Sequence, residues 1–294
     1  MVAFLFPGQG SHEVGMGREL FSLPQGREVL AVAAELGWNK AVPELSAAEL
    51  SQTSVVQPAI FLVEWAAFLV AQGLRKPEAV AGHSLGEFAA LAAAEVLDWP
   101  TAFSLVIQRG RLMEEAARTK PGGMLALLGL PLSEAESLAK EAGCFVANLN
   151  SPEQVVLAGD LSALAKAEEL AAGRGARVIR LNVAGAFHSP FMAEAAQRFA
   201  NLLEDVTFRP PKTTFVSSAT GQVETDPQRI KEILQKQMAS PVRWVQTLET
   251  LVALGVEEAW EIGPGQVLTK LGRRTTPRIR FRALTEVFAC LREG

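Results

Sequence analysis

Residues 82–86, with the sequence GHSLG, form the segment whose residue types and spacing most clearly predict chemistry. They fit the G-x-S-x-G nucleophile elbow, in which a serine occupies a strained turn between a strand and a helix and flanking glycines avoid steric conflict. A brief extended run at 78–81 precedes the motif, and an Ala-rich helical pattern follows it. This context favours a nucleophilic role for Ser84. The alternative is a glycine-rich turn in which the serine only caps the helix N-terminus. In an elbow the N–H of Leu85, at the positive helix end, points toward a developing oxyanion.

A serine nucleophile needs a base to take its proton, and the chain has only three histidines. His83 adjoins Ser84 and projects in another direction, so we interpret it as a packing residue of the elbow. His12 follows the first loop and suits a surface position at a helix start equally well. His188 lies just before a predicted helix, whose N-terminal dipole disfavours the imidazolium and keeps the ring neutral, as a base requires. We therefore predict His188 as the base.

The sequence offers no good carboxylate for a catalytic triad. An α/β-hydrolase places an Asp or Glu between the serine and the histidine in chain order. Here Asp98 ends the elbow helix and Asp160 has the pattern of a helix N-cap, so neither suits the role. The sequence favours a Ser–His dyad whose imidazole is oriented by a neutral group such as a carbonyl, and this disfavours a plain hydrolase.

Arg109 has an unusual predicted position for a charged residue. It falls in the middle of the apolar stripe of a helix predicted over 101–117. A guanidinium directed into the protein needs an anionic partner. Two interpretations stay open, an internal ion pair with Glu64 or Glu87 and a clamp for a ligand carboxylate. In the second case the acyl group carried by the serine would itself be acidic.

Two further segments are candidates for binding. The loop PGQGS at 7–11 follows a predicted strand, where α/β folds place ligands, and Gln9 could add a second oxyanion N–H; a simple turn is the alternative. The stretch 270–282 is basic and has no acidic residue, which is typical of a solvated surface but would also suit an acidic protein or phosphates. Its basic residues are Lys270, Arg273, Arg274, Arg278, Arg280 and Arg282.

The order of predicted elements indicates the fold class. Over 1–120 and 187–294, short apolar runs alternate with helical patterns, which indicates an α/β domain with a largely parallel sheet. Between them, 121–186 has the order β-α-β-β-α-β, the ferredoxin-like pattern. We therefore predict a hydrolase-like large α/β catalytic domain interrupted by an inserted ferredoxin-like small domain, with the active site in the cleft between them.

Composition excludes several classes of function. Of 294 residues, 49% are hydrophobic and 20% are charged, as in folded globular proteins. A net charge of −4 is too balanced for a protein that covers its surface with nucleic acid. Three histidines and two cysteines argue against a zinc cluster, so we predict no metal site. The longest apolar stretch, 59–71, is too short to span a bilayer, so we expect a cytoplasmic protein without a membrane partner.

These segments together resemble the malonyl-CoA:acyl carrier protein transacylases of fatty-acid and polyketide synthesis. The resemblance runs nearly from end to end, and its motifs are highly specific in combination although each is modest alone. The family's fold, a hydrolase-like α/β domain with a ferredoxin-like insert, agrees with the predicted order of elements. The matching segments are FPGQGS at 6–11, GHSLGE at 82–87, QRG at 108–110, GAFH at 185–188, SPVRW at 240–244 and EIGPG at 261–265.

The resemblance implies roles for the residues of the predicted site. Ser84 would be the nucleophile, and His188 would be its base and later its acid. Arg109 would clamp the malonyl carboxylate. The backbone N–H groups of Gln9 and Leu85 would form the oxyanion hole.

Three further positions take their meaning from the same resemblance. Gln237 matches the position whose backbone carbonyl orients the histidine. This carbonyl would be the neutral group that takes the place of the triad carboxylate. Phe187 matches the variant associated with selection of malonyl over methylmalonyl groups. His12 departs from the family, since relatives commonly carry Gln there, and it stays open as an auxiliary group.

The resemblance also implies an activity and partners. The enzyme would move a malonyl group from the coenzyme A thioester to the phosphopantetheine thiol of acyl carrier protein, through a malonyl-serine intermediate, for fatty-acid biosynthesis. It would need no cofactor beyond these substrates. Two other functions stay open. A serine thioesterase or esterase would hydrolyse malonyl-CoA without an acceptor thiol, and a non-catalytic acyltransferase-like docking module would form no acyl-serine.

Overall fold

Two β-sheets organise residues 1–286, the part of the chain that this computed structural model describes. We number the strands in chain order. They are β1 (Val2–Phe6), β2 (Ala79–Gly82), β3 (Gly123–Leu128), β4 (Phe145–Ser151), β5 (Gln154–Gly159), β6 (Arg177–Arg180), β7 (Thr214–Ser217), β8 (Gln222–Val223), β9 (Glu258–Glu261) and β10 (Arg280–Ala283).

Helices connect the strands and cover the sheets. They are α1 (Arg18–Ser22), α2 (Pro24–Glu35), α3 (Ala47–Leu50), α4 (Thr53–Leu74), α5 (Gly86–Ala93), α6 (Trp99–Thr119), α7 (Leu132–Ala142), α8 (Leu161–Gly173), α9 (Ala193–Leu203), α10 (Pro227–Lys236), α11 (Trp244–Ala253) and α12 (Val267–Thr275). Short 3-10 turns lie at Val42–Glu44, Pro190–Met192 and Gln237–Ala239.

The large sheet is mostly parallel, as the sequence predicts. Its strand order is β10-β9-β1-β2-β7-β8, and only the last pair is antiparallel. Along β1, Phe4 and Phe6 join the core under α4, α5 and α6, whereas Ala3 and Leu5 join the core under α11 and α12. Both faces of the sheet are therefore covered, and the loops after the carboxyl ends of its strands are left to bind ligands.

The second sheet has the ferredoxin-like arrangement that the sequence predicts. Its four strands are antiparallel in the order β4-β5-β3-β6, with α7 and α8 packed against them. All four strands fall between residues 123 and 180, inside the insert predicted at 121–186. The exact domain boundaries stay a prediction.

The two sheets meet beside the predicted site. Leu149 on β4 donates its N–H to the Val242 carbonyl at 2.8 Å, and Val242 donates to the Ala147 carbonyl at 2.8 Å. Val242 lies between Ser240 and α11 of the large domain. The small sheet is thus fixed by backbone hydrogen bonds to the segment that carries Gln237.

Helix α4 is longer than the apolar stretch at 59–71 indicated. It spans Thr53–Leu74, 22 residues, with Pro58 inside it. By length and composition alone this helix could cross a membrane, so the length argument from the sequence was wrong. Most of the helix is buried inside the protein, where it packs against α6 as a core helix.

Glu64 is a carboxyl group in the middle of this core helix. It is 0% exposed, and neither of its oxygens has a hydrogen-bond partner within residues 1–286. Burial raises the pKa of Glu64 well above its usual value, and the neighbouring Glu261 raises it further. The fold therefore favours the protonated form of Glu64 more than the unfolded chain does.

We predict that Glu64→Gln becomes more stable relative to wild type as the pH rises. The folded-state pKa of Glu64 lies above the unfolded value, so its stability contribution is full below about pH 4.3 and is lost above it, by up to about 1.4 kcal/mol per pH unit. The amide does not titrate. Urea unfolding of both proteins at pH 5 and pH 8 measures the difference, and an equal difference in unfolding free energy at both pH values would contradict this account.

Candidate active site

Ser84 occupies a strained turn between β2 and α5, with a left-handed φ of 53°. The glycines on either side make the turn possible. A Cβ on Gly82 would lie 2.0 Å from the carbonyl carbon of Gly86, and a Cβ on Gly86 would lie 2.1 Å from the Phe6 oxygen. No side chain fits at either position. The segment therefore has the geometry of the nucleophile elbow and presents Ser84 beyond the carboxyl end of β2.

His188 reaches Ser84 from 104 residues further along the chain. Its Nε2 lies 2.7 Å from Ser84 Oγ. Its Nδ1 faces two carbonyl oxygens, of Ser240 at 2.9 Å and of Gln237 at 3.2 Å. Because carbonyl oxygens only accept, Nδ1 carries the ring proton and Nε2 is left to accept the serine hydroxyl. This is the tautomer that a general base for Ser84 requires.

The sequence predicts one of the two carbonyl groups that face His188 Nδ1. The Gln237 carbonyl does face Nδ1, but the Ser240 carbonyl is closer. Both belong to the segment linking α10 to α11, which includes a 3-10 turn. The motif at 240–244 indicates this segment, whereas the direction of an individual carbonyl depends on backbone angles that residue types do not specify.

The surroundings of His188 keep its ring uncharged. Burial and, to a smaller extent, the positive charge of Arg109 lower the pKa of His188 to about 3, although the hydrogen bond to the Ser240 carbonyl opposes them. The ring is therefore neutral throughout the range near pH 7. A neutral imidazole next to a serine hydroxyl can act as a general base.

Arg109 points from α6 into the site and is 1% exposed. Its Nη2 donates to Ser84 Oγ at 3.1 Å, and its Nη1 donates to Gln57 Oε1 at 2.7 Å. The Phe88 ring lies 5.7 Å from the guanidinium carbon. Burial lowers the pKa of Arg109 to about 10, which leaves it charged at neutral pH. The structure thus places a buried cation against the candidate nucleophile.

The direct ion pair considered from the sequence does not form. Within residues 1–286, the hydrogen-bond partners of Arg109 are Gln57, Ser84 and Gln237. The Gln237 amide stands between Arg109 and Glu87, since its Oε1 accepts from Arg109 at 3.0 Å and its Nε2 donates to Glu87 at 2.6 Å. No carboxylate of the described residues therefore occupies the guanidinium, and a ligand carboxylate could.

The remaining predicted residues lie around Ser84. Gln9 is in the loop after β1, and Leu85 directly follows the serine. Neither N–H donates a hydrogen bond within the described part of the chain, so both suit an oxyanion hole. Phe187 directly precedes His188 and is buried in the same core cluster as Leu85. The roles of these residues stay predictions.

The other two histidines have structural partners. His83 lies with its Nε2 2.9 Å from Asn150 Oδ1, and its ring contacts Trp244 edge-on at 5.4 Å between centroids. It packs the elbow against the small sheet, in agreement with the sequence interpretation. His12 is half-buried, and its Nδ1 accepts the Gly10 N–H at 3.2 Å, which keeps it in the first loop.

The basic stretch at 270–282 lies at the far edge of the large sheet. Arg280 and Arg282 lie on β10, the edge strand of the large sheet, which β9 and β1 separate from β2. Ser84 follows the carboxyl end of β2. Arg273 and Arg282 also form ion pairs with glutamates. These positions favour a solvated surface over a docking patch that serves the serine.

Within residues 1–286, no group of three or more His, Cys, Asp or Glu side chains is arranged to hold a metal ion. Cys144 is buried, and burial raises the pKa of its thiol to about 11. Such a thiol is a poor nucleophile. Cys290, the other cysteine, lies outside the described residues.

A serine in an elbow with a neutral histidine at hydrogen-bond distance defines a class of proteins that transfer or hydrolyse acyl groups. Comparison with known proteins narrows the class. The acyl transferase domain family matches residues 3–284, and the chain belongs to this family.

Similar proteins carry more specific names. The malonyl CoA-acyl carrier protein transacylase of Synechocystis is 37% identical, with 97% of each chain covered. A crystal structure of MCAT from Streptococcus pneumoniae has a TM-score of 0.93 at 32% identity and covers 100% of each chain. A type II polyketide synthase acyl carrier protein in complex with its malonyl-transacylase has a TM-score of 0.92 at 34% identity, covering 100% of this chain and 99% of that one.

We predict that the reactivity of Ser84 does not depend on a histidine titrating near pH 6.5. Because the pKa of His188 is lowered to about 3, the reaction of Ser84 with a fluorophosphonate probe should be insensitive to His188 protonation between pH 5 and pH 8. His188→Ala should slow labelling by roughly 10²–10⁴-fold, the usual contribution of a general base. A rate that rises with an apparent pKa near 6.5 would contradict the proposed environment of the ring.

Proposed function

We propose that this chain transfers a malonyl group from malonyl-CoA to the phosphopantetheine thiol of an acyl carrier protein, through an ester on Ser84. The observation that carries the proposal is the position of Arg109, whose Nη2 lies 3.1 Å from Ser84 Oγ. A buried guanidinium at the nucleophile favours an acyl group that ends in a carboxylate. The names of the similar proteins support the same donor and acceptor.

Acylation of the serine begins with its proton. His188 Nε2 takes the proton of the Ser84 hydroxyl while Oγ attacks the thioester carbonyl. The carbonyl oxygen becomes an oxyanion, which the N–H groups of Gln9 and Leu85 stabilise. When the intermediate collapses, the carbon–sulfur bond breaks and His188 gives its proton to the departing sulfur, so coenzyme A leaves as the thiol and His188 is neutral again. The product is a malonyl ester of Ser84.

The second half-reaction reverses the first with another thiol. The carrier thiol gives its proton to His188 and attacks the ester carbonyl. The ester bond to Ser84 breaks, and the proton returns from His188 to Oγ. Throughout both steps the Ser240 carbonyl holds Nδ1, so the ring keeps its orientation while its charge changes.

The charge of Arg109 gives the enzyme its preference among acyl groups. A carboxylate that meets the guanidinium forms charge-assisted hydrogen bonds in a buried site, where they are stronger than in water. These bonds also fix the geometry of the ester, which leaves water poorly placed to attack it. An acetyl group gains nothing from the cation. Phe187, next to His188, would crowd a methyl branch on the malonyl carbon.

We also propose the partners, the pathway and the cellular location of the enzyme. Its partners are acyl carrier protein and a coenzyme A thioester, and it needs no cofactor beyond them. We assign it to fatty-acid biosynthesis in the cytoplasm, with Ser84 as the serine nucleophile. No feature of the site calls for nucleic acid or a membrane.

Ser84→Ala should abolish formation of the acyl-enzyme. Wild-type protein incubated with malonyl-CoA should gain the mass of one malonyl group, and the variant should gain none, because the ester oxygen has been removed. Intact-protein mass spectrometry reads the result directly. A malonyl adduct retained on the variant would overturn the assignment of the nucleophile.

Arg109→Ala should lose malonyl acylation while tolerating acetyl-CoA. Removal of a buried partner from a charged pair costs roughly a hundredfold or more in rate. The rates of acylation by malonyl-CoA and acetyl-CoA are compared by mass spectrometry of samples quenched at successive times. Arg111→Ala, on the exposed face of the same helix, is the matched control and should retain both rates. Equal loss of both acyl groups in Arg109→Ala would show a structural role instead.

A further inference from the structure

Glu87 is a buried carboxyl group close to the reacting serine but not in contact with its oxygen. It lies in the first turn of α5 and is 1% exposed. Its Oε1 accepts from the Ser217 hydroxyl, and its Oε2 accepts from the Ser218 hydroxyl at 3.3 Å and from Gln237 Nε2 at 2.6 Å. Every one of these contacts uses Glu87 as an acceptor, which suits a carboxylate.

The contacts of Glu87 determine which way the Gln237 amide faces. Its Nε2 donates to Glu87 and also to the Ser84 carbonyl at 2.8 Å, and both of these partners only accept. The amide oxygen is therefore turned toward Arg109, where it accepts from Nη2 at 3.0 Å. An amide turned the other way would place its NH₂ group against the guanidinium, where two donors oppose each other.

Glu87 also supplies negative charge without occupying the guanidinium. Burial raises the pKa of Glu87, and the hydrogen bonds from Ser217, Gln237 and Ser218 together with the charge of Arg109 oppose that rise. Burial likewise lowers the pKa of Arg109, and the charge of Glu87 opposes that fall. If Glu87 formed a direct bidentate ion pair with Arg109, it would occupy the guanidinium N–H donors that a substrate carboxylate needs. With the Gln237 amide between them, the cation is stabilised and the Glu87 carboxylate does not use its N–H donors.

We propose that Glu87 is a positioning residue that acts through Gln237. It holds the Gln237 side-chain amide so that Oε1 orients Arg109 for a substrate carboxylate. Arg109 binds the acyl group only when that group carries a carboxylate. Because Glu87 positions Arg109 through Gln237, Glu87 determines selectivity for acidic acyl groups. This inference rests on the proposed function and adds one residue to the machinery that selects the acyl group.

Glu87→Gln tests this role, since it removes the charge with little change in volume. One end of the new amide is a donor, which favours reversal of Gln237 and displacement of Arg109. Malonyl acylation of Ser84 should fall about tenfold or more, the fold-change of a charge-assisted hydrogen bond. Acetyl acylation should fall much less, so the malonyl-to-acetyl rate ratio should drop. Equal losses for both donors, or an unchanged ratio, would overturn the proposal.

Two further variants complete the experiment. Glu64→Gln replaces another buried carboxyl group by an amide, at a side chain that has no hydrogen-bond partner within residues 1–286, and should leave the ratio unchanged. Ser217→Ala removes one hydrogen-bond donor to Glu87 and is a smaller change to the core. It should lower the malonyl-to-acetyl rate ratio by about threefold or more. An unchanged ratio in this variant would also contradict the positioning role of Glu87. Wild-type protein that malonyl-CoA does not acylate would instead contradict the proposed function itself, so the two failures are distinguishable.

Discussion

The arrangement of this site depends on keeping one guanidinium charged inside the protein beside a serine hydroxyl. Arg109 is 1% exposed, and an isolated buried charge costs several kcal/mol. Neutral amides of Gln57 and Gln237 accept its N–H groups, and the nearest carboxylate stands behind the second amide. Such partners stabilise the cation without neutralising it. Under the proposed function, the carboxylate that pairs with Arg109 belongs to the substrate.

The backbone is strained where this cation meets the reacting pair. Ser84 and His188 both have left-handed φ values, 53° and 56°, at a cost of order 1–3 kcal/mol each. Close backbone packing at Gly82 and Gly86 holds the first turn, and a hydrogen bond from the His188 N–H to the Met238 carbonyl at 3.0 Å holds the second. These two backbone conformations place Oγ and Nε2 2.7 Å apart.

Local patterns predict part of this site, and packing over long separations supplies the rest. The strand–turn–helix around Ser84 and the β-α-β-β-α-β order depend on short-range spacing, so the sequence predicts them. The partners of Arg109 come from α4 and from a 3-10 turn, 52 and 128 residues away, and only the assembled fold shows which groups it meets. For the same reason the sequence could not show the Ser240 carbonyl, nor that the basic stretch lies at the far edge of the sheet.

The most direct test follows the acyl group itself. Protein is acylated with malonyl-CoA, freed of excess donor and mapped by peptide mass to locate the ester. It is then divided between buffer alone and buffer containing carrier protein that bears phosphopantetheine. The account predicts an ester on Ser84 that persists in buffer and moves to the carrier thiol. Loss of the malonyl group to water at the same rate in both portions would contradict it.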